Sequence, residues 1–311
     1  MLNLPMRHAS RPTSALLTCI YFLSAYLVSS DDRQAALASL LPRTLTLVSQ
    51  SLSSTHPDRT LHTLQVHILL ANWFFCEGRI IEGNYQRHAA IALGIGSGIY
   101  DTNRTLENES FEHIHARWAC VVIDKCWSVA LSSESTTDVP ILNGFADLEP
   151  NSKALDLYAQ TSVLWHSANQ LAKSIQQGFA QRYGTFGTTF DSLDETVDSF
   201  SLQIQAVPNT GGNASTLLAA HSLALSARIS LHTDPSPRQN VSKALGAARR
   251  ILDLLVAFEG RVDPILGTVW LRAIQFLISR CPDEDRLQAA KHAMRRTQGI
   301  GTYPLVSEDI G

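Results

Sequence analysis

One stretch of the chain, FEHIHARWACVVIDKCW at residues 111–127, concentrates side chains that bind metals or take part in catalysis. Successive residues of a helix advance by about 100°, so His113, Cys120 and Asp124 fall on one side. They form a partial zinc set, because a structural zinc ion takes four converging ligands. The same spacing is typical of a buried helix that carries a few polar side chains. We favour the buried helix over the metal site.

Other short motifs lack the surroundings that their chemistry needs. The glycine-rich run LGIGSG at residues 93–98 follows a predicted helix, whereas a dinucleotide-binding motif follows a strand. We therefore expect its glycines to end a helix and form a turn. The chain contains neither a His-Glu-x-x-His zinc motif nor a Gly-x-Ser-x-Gly nucleophile motif. The sequence predicts no catalytic, cofactor-binding or metal-ligating residue, and we expect no enzyme activity.

Composition predicts a chain with a large apolar core. The 311 residues are 45% hydrophobic and 17% charged, with a formal net charge of -3. This slightly acidic balance gives no general attraction to nucleic acid. The five cysteines are scattered through apolar runs, which favours reduced, buried thiols over a disulfide framework.

Helical periodicity dominates the chain and predicts an all-α fold, either a multi-helix bundle or an array of antiparallel helical hairpins. Residues 61–77 and 79–93 form the clearest hairpin, joined by a glycine turn. Residues 132–152 are predicted to be a surface loop, and YGTFGTTFDS at residues 183–192 to break the helix before it. Further helices are predicted at residues 152–182, 214–232, 239–258, 263–280 and 284–297. We expect one domain over residues 1–298, followed by a tail over residues 299–311.

The first apolar run, SALLTCIYFLSAYLV at residues 14–28, has two interpretations. It follows Arg7 and Arg11, as in a signal peptide, and four glycosylation sequons would suit a secreted chain. The sequons are at Asn103, Asn108, Asn213 and Asn240. The run is too short to span a bilayer. We favour a buried first helix over secretion through residues 1–30, and we expect Asn213 and Asn240 to cap helices.

The segment RWACVVIDKCWSVAL, which begins at residue 117, resembles the signature helix of the fungal-specific transcription factor domain. This domain is the middle homology region of binuclear zinc cluster regulators. Matching positions in the signature helix are Trp118, Cys120, Asp124 and Lys125. The hairpin before it also resembles the family, with Gly78 and Arg79 at the family's Gly-Arg turn. One departure is the loop after the helix, which reads Ser-Glu-Ser at residues 133–135 where the family has Gly-Arg-Pro.

The resemblance implies a regulatory domain that acts in the nucleus on transcription by RNA polymerase II. It implies other transcription-regulatory proteins as partners, with a homodimer and a small-molecule effector as further expectations. The six-cysteine zinc cluster that reads DNA is absent from the sequence. We therefore expect no direct nucleic-acid contact, no zinc or other cofactor in this chain, and no membrane association. The alternatives are a helical scaffold for protein–protein interaction, and an all-α enzyme or secreted protein.

The sequence also predicts roles for individual side chains. We expect Asp124 to form an ion pair with Arg117 on one face of the signature helix. An effector pocket could be lined by Trp73, Phe74, Phe75 and Trp165, although we favour plain core packing for these aromatic residues. The acidic cluster DSLDE at residues 191–195 is typical of a helix start, where carboxylates complement the helix dipole.

Overall fold

The structure is a computed structural model, and it describes residues 11–28, 33–100, 110–137, 149–177, 186–233, 240–258, 263–280 and Gln288. These residues form ten α-helices, a short 3₁₀ helix at Ser51–Ser53 and no β-strand, which confirms the predicted all-α fold. The helices are α1 (Ser14–Leu27), α2 (Arg33–Gln50), α3 (Arg59–Cys76), α4 (Ile80–Gly96), α5 (Phe111–Ala130), α6 (Pro150–Gln176), α7 (Phe186–Ala206), α8 (Ala214–His232), α9 (Val241–Ala257) and α10 (Pro264–Arg280).

The chain divides into two compact units, Met1–Cys120 and Val121–Gly311, with the boundary inside α5. Each unit is described by itself. The single domain over residues 1–298 stays a prediction. The proposed tail at residues 299–311 lies outside the described residues, and so does the predicted helix at residues 284–297, apart from Gln288.

In the first unit, α1 packs its apolar face into the core against α3. Cys19 and Phe22 are fully buried, and the Phe22 ring meets the Trp73 ring edge-on at a centroid distance of 4.8 Å. This packing confirms the buried first helix. In the part of the chain that the structure describes, no helix combines the length and apolarity needed to cross a membrane. Helix α2 continues through Pro42.

Helices α3 and α4 form the predicted antiparallel hairpin. Gly78 has a φ of 69°, a conformation that favours glycine, and its N–H donates to the carbonyl oxygen of Phe75 at 3.1 Å. Further along, Gly83 lies directly over the Phe75 ring. A Cβ atom at Gly83 would come within 2.6 Å of that ring, so glycine permits the close approach of the two helices.

In the second unit, α6 and α8 are buried along much of their length and pack against each other. Helices α7 and α9 flank α8. Helix α10 adds the buried Trp270, whose indole N–H points at the Ser222 hydroxyl at 3.4 Å. Helices α8, α9 and α10 match their predicted positions closely.

Two predictions in the second unit are wrong. Helix α7 begins at Phe186, inside the segment that the sequence predicts to be a break. The acidic cluster at residues 191–195 is consequently not at a helix start but lies more than one turn inside α7.

Of the predicted caps, Asn240 accepts a hydrogen bond from the N–H of Ser242 at 3.0 Å, as expected. Asn213 also occupies the N-cap position of α8, but its side chain accepts from the N–H of Thr210 in the preceding loop and not from an N–H of the helix.

Candidate functional site

The second half of α5 buries two charged side chains in an apolar environment. Asp124 is 0% exposed and Lys125 is 4% exposed. Charged side chains are almost never fully buried unless they are paired, because removal from water is costly. Their hydrogen-bond partners therefore show what this part of the helix does.

The groups that hydrogen-bond to the carboxylate of Asp124 all lie in the segment that follows α5. Its Oδ2 atom accepts hydrogen bonds from the hydroxyls of Ser135 at 2.7 Å and Thr137 at 2.6 Å, and from the N–H of Thr137 at 3.0 Å. Its Oδ1 atom accepts a longer bond from the N–H of Thr136 at 3.4 Å. The carboxylate thus fixes the backbone of residues 135–137 against the helix.

Lys125 contributes to the same arrangement. Its Nζ atom donates to the Ser135 hydroxyl at 2.9 Å and also to the carbonyl oxygen of Thr137. Ser135 therefore stands between the amine and the carboxylate. We call Asp124, Lys125, Ser135 and Thr137 the Asp124 cluster.

The predicted ion pair between Asp124 and Arg117 is wrong. Arg117 instead donates from Nε to the carbonyl oxygen of Ile99 at 2.6 Å. Residues seven apart on a helix are separated by about 10 Å along its axis, which is far for a direct pair. Asp124 finds nearer donors in residues 135–137.

The surroundings of the Asp124 cluster change the pKa values of two groups. Burial raises the pKa of Asp124, but hydrogen bonds from Thr137, Ser135 and the backbone outweigh this effect, and the net pKa is below its usual value. Burial, followed by the charge of Lys125, lowers the pKa of His166 on α6 to about 4. His166 is therefore neutral at pH 7, while the carboxylate of Asp124 is ionised.

A hydroxyl between an amine and a carboxylate resembles a nucleophile beside a base. The geometry does not activate Ser135, however. A lysine that serves as a base must accept the proton of the hydroxyl, whereas the Lys125 amine donates to the Ser135 hydroxyl and to the carbonyl oxygen of Thr137, and the Ser135 hydroxyl donates to Asp124. Asp124 is a weak base because its pKa is lowered. The Asp124 cluster is arranged to hold the loop in place.

A second polar cluster joins three helices of the second unit. Asp194 on α7 accepts from the His232 Nε2 atom at 3.1 Å and from the Lys243 amine, and it lies 3.5 Å from the Arg228 Nε atom. Arg228 and His232 belong to α8, and Lys243 to α9. Burial raises the pKa of Asp194, but hydrogen bonds from Lys243 and His232, together with the charge of Lys243, outweigh the effect of burial, and the net pKa is lowered. We call these four residues the Asp194 cluster.

The Asp–His pair in this cluster resembles part of a catalytic triad, but the histidine is held in one tautomer. The Nδ1 atom of His232 accepts the backbone N–H of Asn240 at 3.1 Å, so the proton is on Nε2 and is donated to Asp194. With both ring nitrogens engaged, His232 has no free lone pair with which to act as a general base.

The sequence-based predictions do not include this cluster, although the sequence carries a signal for it. Phe190, Asp194, Val197 and Ile204 follow a helical spacing, and all four are buried. A carboxylate within an apolar stripe indicates a buried pair, because an unpaired charge in that position would be too costly.

The remaining signature residues have packing roles. Trp118 is 1% exposed and Cys120 is 0% exposed. Arg79, after the glycine turn, stacks over the Phe74 ring at 4.6 Å and pairs with Glu82 at 2.7 Å. These contacts secure the end of α3 against the start of α4.

The potential metal ligands of α5 have separate partners. His113 shares a hydrogen bond with the Ser110 hydroxyl at 2.7 Å, Cys120 is buried and forms no disulfide, and Asp124 belongs to its own cluster. Among the described residues, no group of three or more His, Cys, Asp or Glu side chains could hold a metal ion.

The aromatic residues suggested as a pocket lining belong to different units. Trp73, Phe74 and Phe75 are buried in the first unit, and Trp165 is 0% exposed in the second, with the Arg272 guanidinium 5.6 Å from its ring centre.

Comparison of the chain with protein-family models, with curated proteins and with solved structures found no match in any of the three.

Proposed function

We propose that this chain is a helical regulatory domain that controls transcription by RNA polymerase II, of the kind found in the middle region of fungal zinc-cluster regulators. One observation carries the proposal. Asp124, in the stretch that resembles the family's signature helix, is fully buried and holds the following segment by four hydrogen bonds. Asp124 therefore has a structural role. A structural role is what we expect of a residue in a family's fold signature, and not of a residue in a catalytic motif.

The other signature positions support the proposal in the same way. Trp118 and Cys120 are core residues, and Gly78 and Arg79 form the turn of the α3–α4 hairpin. Each position that carries the resemblance thus has a packing or turn role.

A buried polar cluster also suits a regulatory domain. Such a cluster stabilises one arrangement of its elements, because a buried donor or acceptor that loses its partner is costly. An effector or partner protein that binds better when residues 135–137 are released would shift the domain to a second state. In this proposal, DNA is contacted by a zinc cluster outside this chain, the chain acts in the nucleus, and it catalyses no reaction.

The second candidate function is a helical scaffold for protein–protein interaction. The exposed apolar side chains of α4 favour it, since Ile81 is 84% exposed and Tyr85 is 68% exposed.

A reporter assay tests the first function against the second. The full chain is fused to a heterologous sequence-specific DNA-binding domain in a fungal host, and transcription from its target promoter is compared with that from the DNA-binding domain alone. We expect the fusion to change transcription, and Asp124→Asn to alter the effect because an amide cannot accept all four hydrogen bonds.

Asp253→Asn is the matched control, because Asp253 is exposed on α9 and belongs to neither polar cluster. This variant should behave as the unmodified fusion. Transcription equal to that of the DNA-binding domain alone, with the fusion present in the nucleus at a normal level, would contradict the regulatory function and leave the scaffold.

A further inference from the structure

Two histidines lie side by side where the chain enters α1. His62 is near the start of α3 and His56 is in the loop before it, and their ring centres are 5.1 Å apart with the ring planes tilted by 43°. His62 is 7% exposed. Residues 11–13, which lead into α1, lie against both rings. We call His56 and His62 the histidine pair.

The hydrogen bonds of His56 place its proton on one nitrogen. Its Nε2 atom lies 2.9 Å from the carbonyl oxygen of Arg11, which can only accept, so Nε2 donates. Its Nδ1 atom accepts from the backbone N–H of Asp58 at 3.1 Å. His56 therefore links the segment before α1 to the start of α3, and it makes both bonds only as a neutral ring.

His62 makes a similar contact with the first turn of α1. Its Nδ1 atom accepts from the backbone N–H of Thr13 at 3.4 Å. Thr13 is the N-cap of α1, and its hydroxyl accepts from the N–H of Leu16 at 3.4 Å. The cap of α1 is thus held by a ring nitrogen that accepts only while it carries no proton.

Protonation of the two rings would remove both of these backbone contacts. An imidazolium carries a proton on each nitrogen, so Nδ1 of each ring would point a proton at a backbone N–H that has lost its acceptor. The two rings would also carry like charges 5.1 Å apart. The bond from His56 to Arg11 would remain, because it uses a proton that both forms of the ring carry.

The elements around the histidine pair contribute charges of both signs. These charged residues are Arg11 before α1, Asp58 and Arg59 at the start of α3, and Glu112 on α5. Burial and the neighbouring His56 lower the pKa of His62, the carboxylates of Asp58 and Glu112 raise it, and the net pKa is lowered. The contact of His62 with the cap of α1 is therefore complete above about pH 6.5 and is lost as the pH falls below this value.

We propose that the histidine pair is an acid-sensitive latch, which holds residues 11–13 and the first turn of α1 while both rings are neutral and releases them when the rings are protonated. Histidine changes its charge within the physiological range of pH, so this part of the chain responds to mild acid. The rest of α1 stays in place, because Cys19 and Phe22 are held by apolar contacts. The proposal does not depend on the function proposed above, because it uses only contacts within the first unit.

Hydrogen exchange measured by mass spectrometry tests the latch in the unmodified full chain. Exchange of residues 11–20, corrected for the effect of pH on the chemical exchange rate, is compared at about pH 7.5 and about pH 5, above the range in which His166 titrates. Protection should fall by about tenfold at the lower pH, while residues 64–75 of α3 keep theirs. Equal protection of residues 11–20 at both pH values would overturn the proposal.

Substitution of both histidines tests whether these two rings are responsible. Asparagine places an amide oxygen near the position of Nδ1, so the double variant His56→Asn/His62→Asn keeps an acceptor for each backbone N–H but does not titrate. Its residues 11–20 should be equally protected at both pH values. His88→Asn is the matched control, because His88 is exposed on α4, and this variant should lose protection as the unmodified chain does. A loss of protection that persists in the double variant would refute the latch.

NMR titration of the two rings in the unmodified chain gives an independent test, which holds even if circular dichroism shows the double variant to be unfolded. Both rings should gain a proton over the same pH range in which residues 11–20 lose protection. Rings that stay neutral while protection is lost, or that become charged while protection is kept, would contradict the proposal.

Discussion

The Asp124 cluster and the Asp194 cluster solve the same physical problem with different partners. Each buries a carboxylate whose pKa is lowered. Asp124 accepts only from neutral hydroxyl and backbone N–H groups, within 13 residues along the chain. Asp194 is bound by Lys243 and lies beside Arg228, with partners up to 49 residues away. The first cluster fixes a local segment, whereas the second joins helices that are distant in sequence.

The difference shows that a buried carboxylate can be stabilised by geometry or by charge. Neutral donors stabilise Asp124 only while the loop keeps its shape, so stability and loop conformation are coupled. The charged groups around Asp194 attract it over a longer range, and they are partly exposed to solvent, since the Lys243 side chain is 45% exposed. The Asp194 cluster should therefore tolerate small movements and respond to salt, and the Asp124 cluster should do neither.

Removing the two carboxylates should give the largest effect. Asp124→Ala should lower the free energy of unfolding by about 3–4 kcal/mol, because several buried donors lose their acceptor together. Asp194→Ala should cost about 2 kcal/mol, because Lys243 can turn to water. Urea denaturation measures both. The comparison fails if Asp194→Ala is the more damaging substitution.

The titration of His166 should give an intermediate effect. The unfolded chain binds a proton at this histidine near pH 6.5, whereas folded His166 stays neutral down to about pH 4, so its contribution to stability is complete above pH 6.5 and is lost as the pH falls towards 4. His166→Gln should remove about 2 kcal/mol of the difference in stability between these two pH values.

Two measurements check this titration. Urea denaturation at a series of pH values gives the slope, and NMR of the ring gives the pKa of His166 directly. Asp194→Asn is the control and should leave the ring titration unchanged. A ring that titrates near pH 6.5 in the folded protein would show that the Asp124 cluster and the burial of α6 do not act on His166.

Raising the salt concentration should give the smallest effect on stability, but it should distinguish the two clusters most clearly. Lys243→Met should lower the free energy of unfolding by about 0.5–1 kcal/mol at low salt, and the loss should disappear in about 1 M NaCl, where charges are screened within about 3 Å. The loss caused by Asp124→Asn should persist at both salt concentrations. Urea denaturation in the two buffers makes the measurement, and equal salt dependence of the two variants would remove the distinction between the clusters.

Helical periodicity was sufficient to predict most of the fold. Helices such as α8 and α10 have long apolar stripes and clear polar breaks, so their positions follow from the sequence alone. Helix α7 was missed at its start because glycines and threonines, which weaken a helix, fill its first turn and the residues before it. Its packing against α8 overrides that local preference.

The candidate site was only partly predictable. Burial of Asp124 follows from its place in an apolar helix, but its partners do not. Residues 135–137 have no periodicity, and only the folded backbone shows that the Thr137 N–H and the Ser135 hydroxyl point at the carboxylate. Choosing Arg117 from sequence spacing alone ignored donors that the following loop supplies.

The absence of a side chain at Gly83 has an effect beyond the packing of the α3–α4 hairpin. A helix that lies flat on an aromatic ring cannot roll about its own axis without a collision. Phe75 occupies the space that a methyl group at position 83 would need, so α4 is held at one angle of rotation about its own axis. That angle determines which side chains of α4 are exposed to solvent. An alanine at position 83 would therefore be expected to disturb the recognition of another molecule on the far side of the helix.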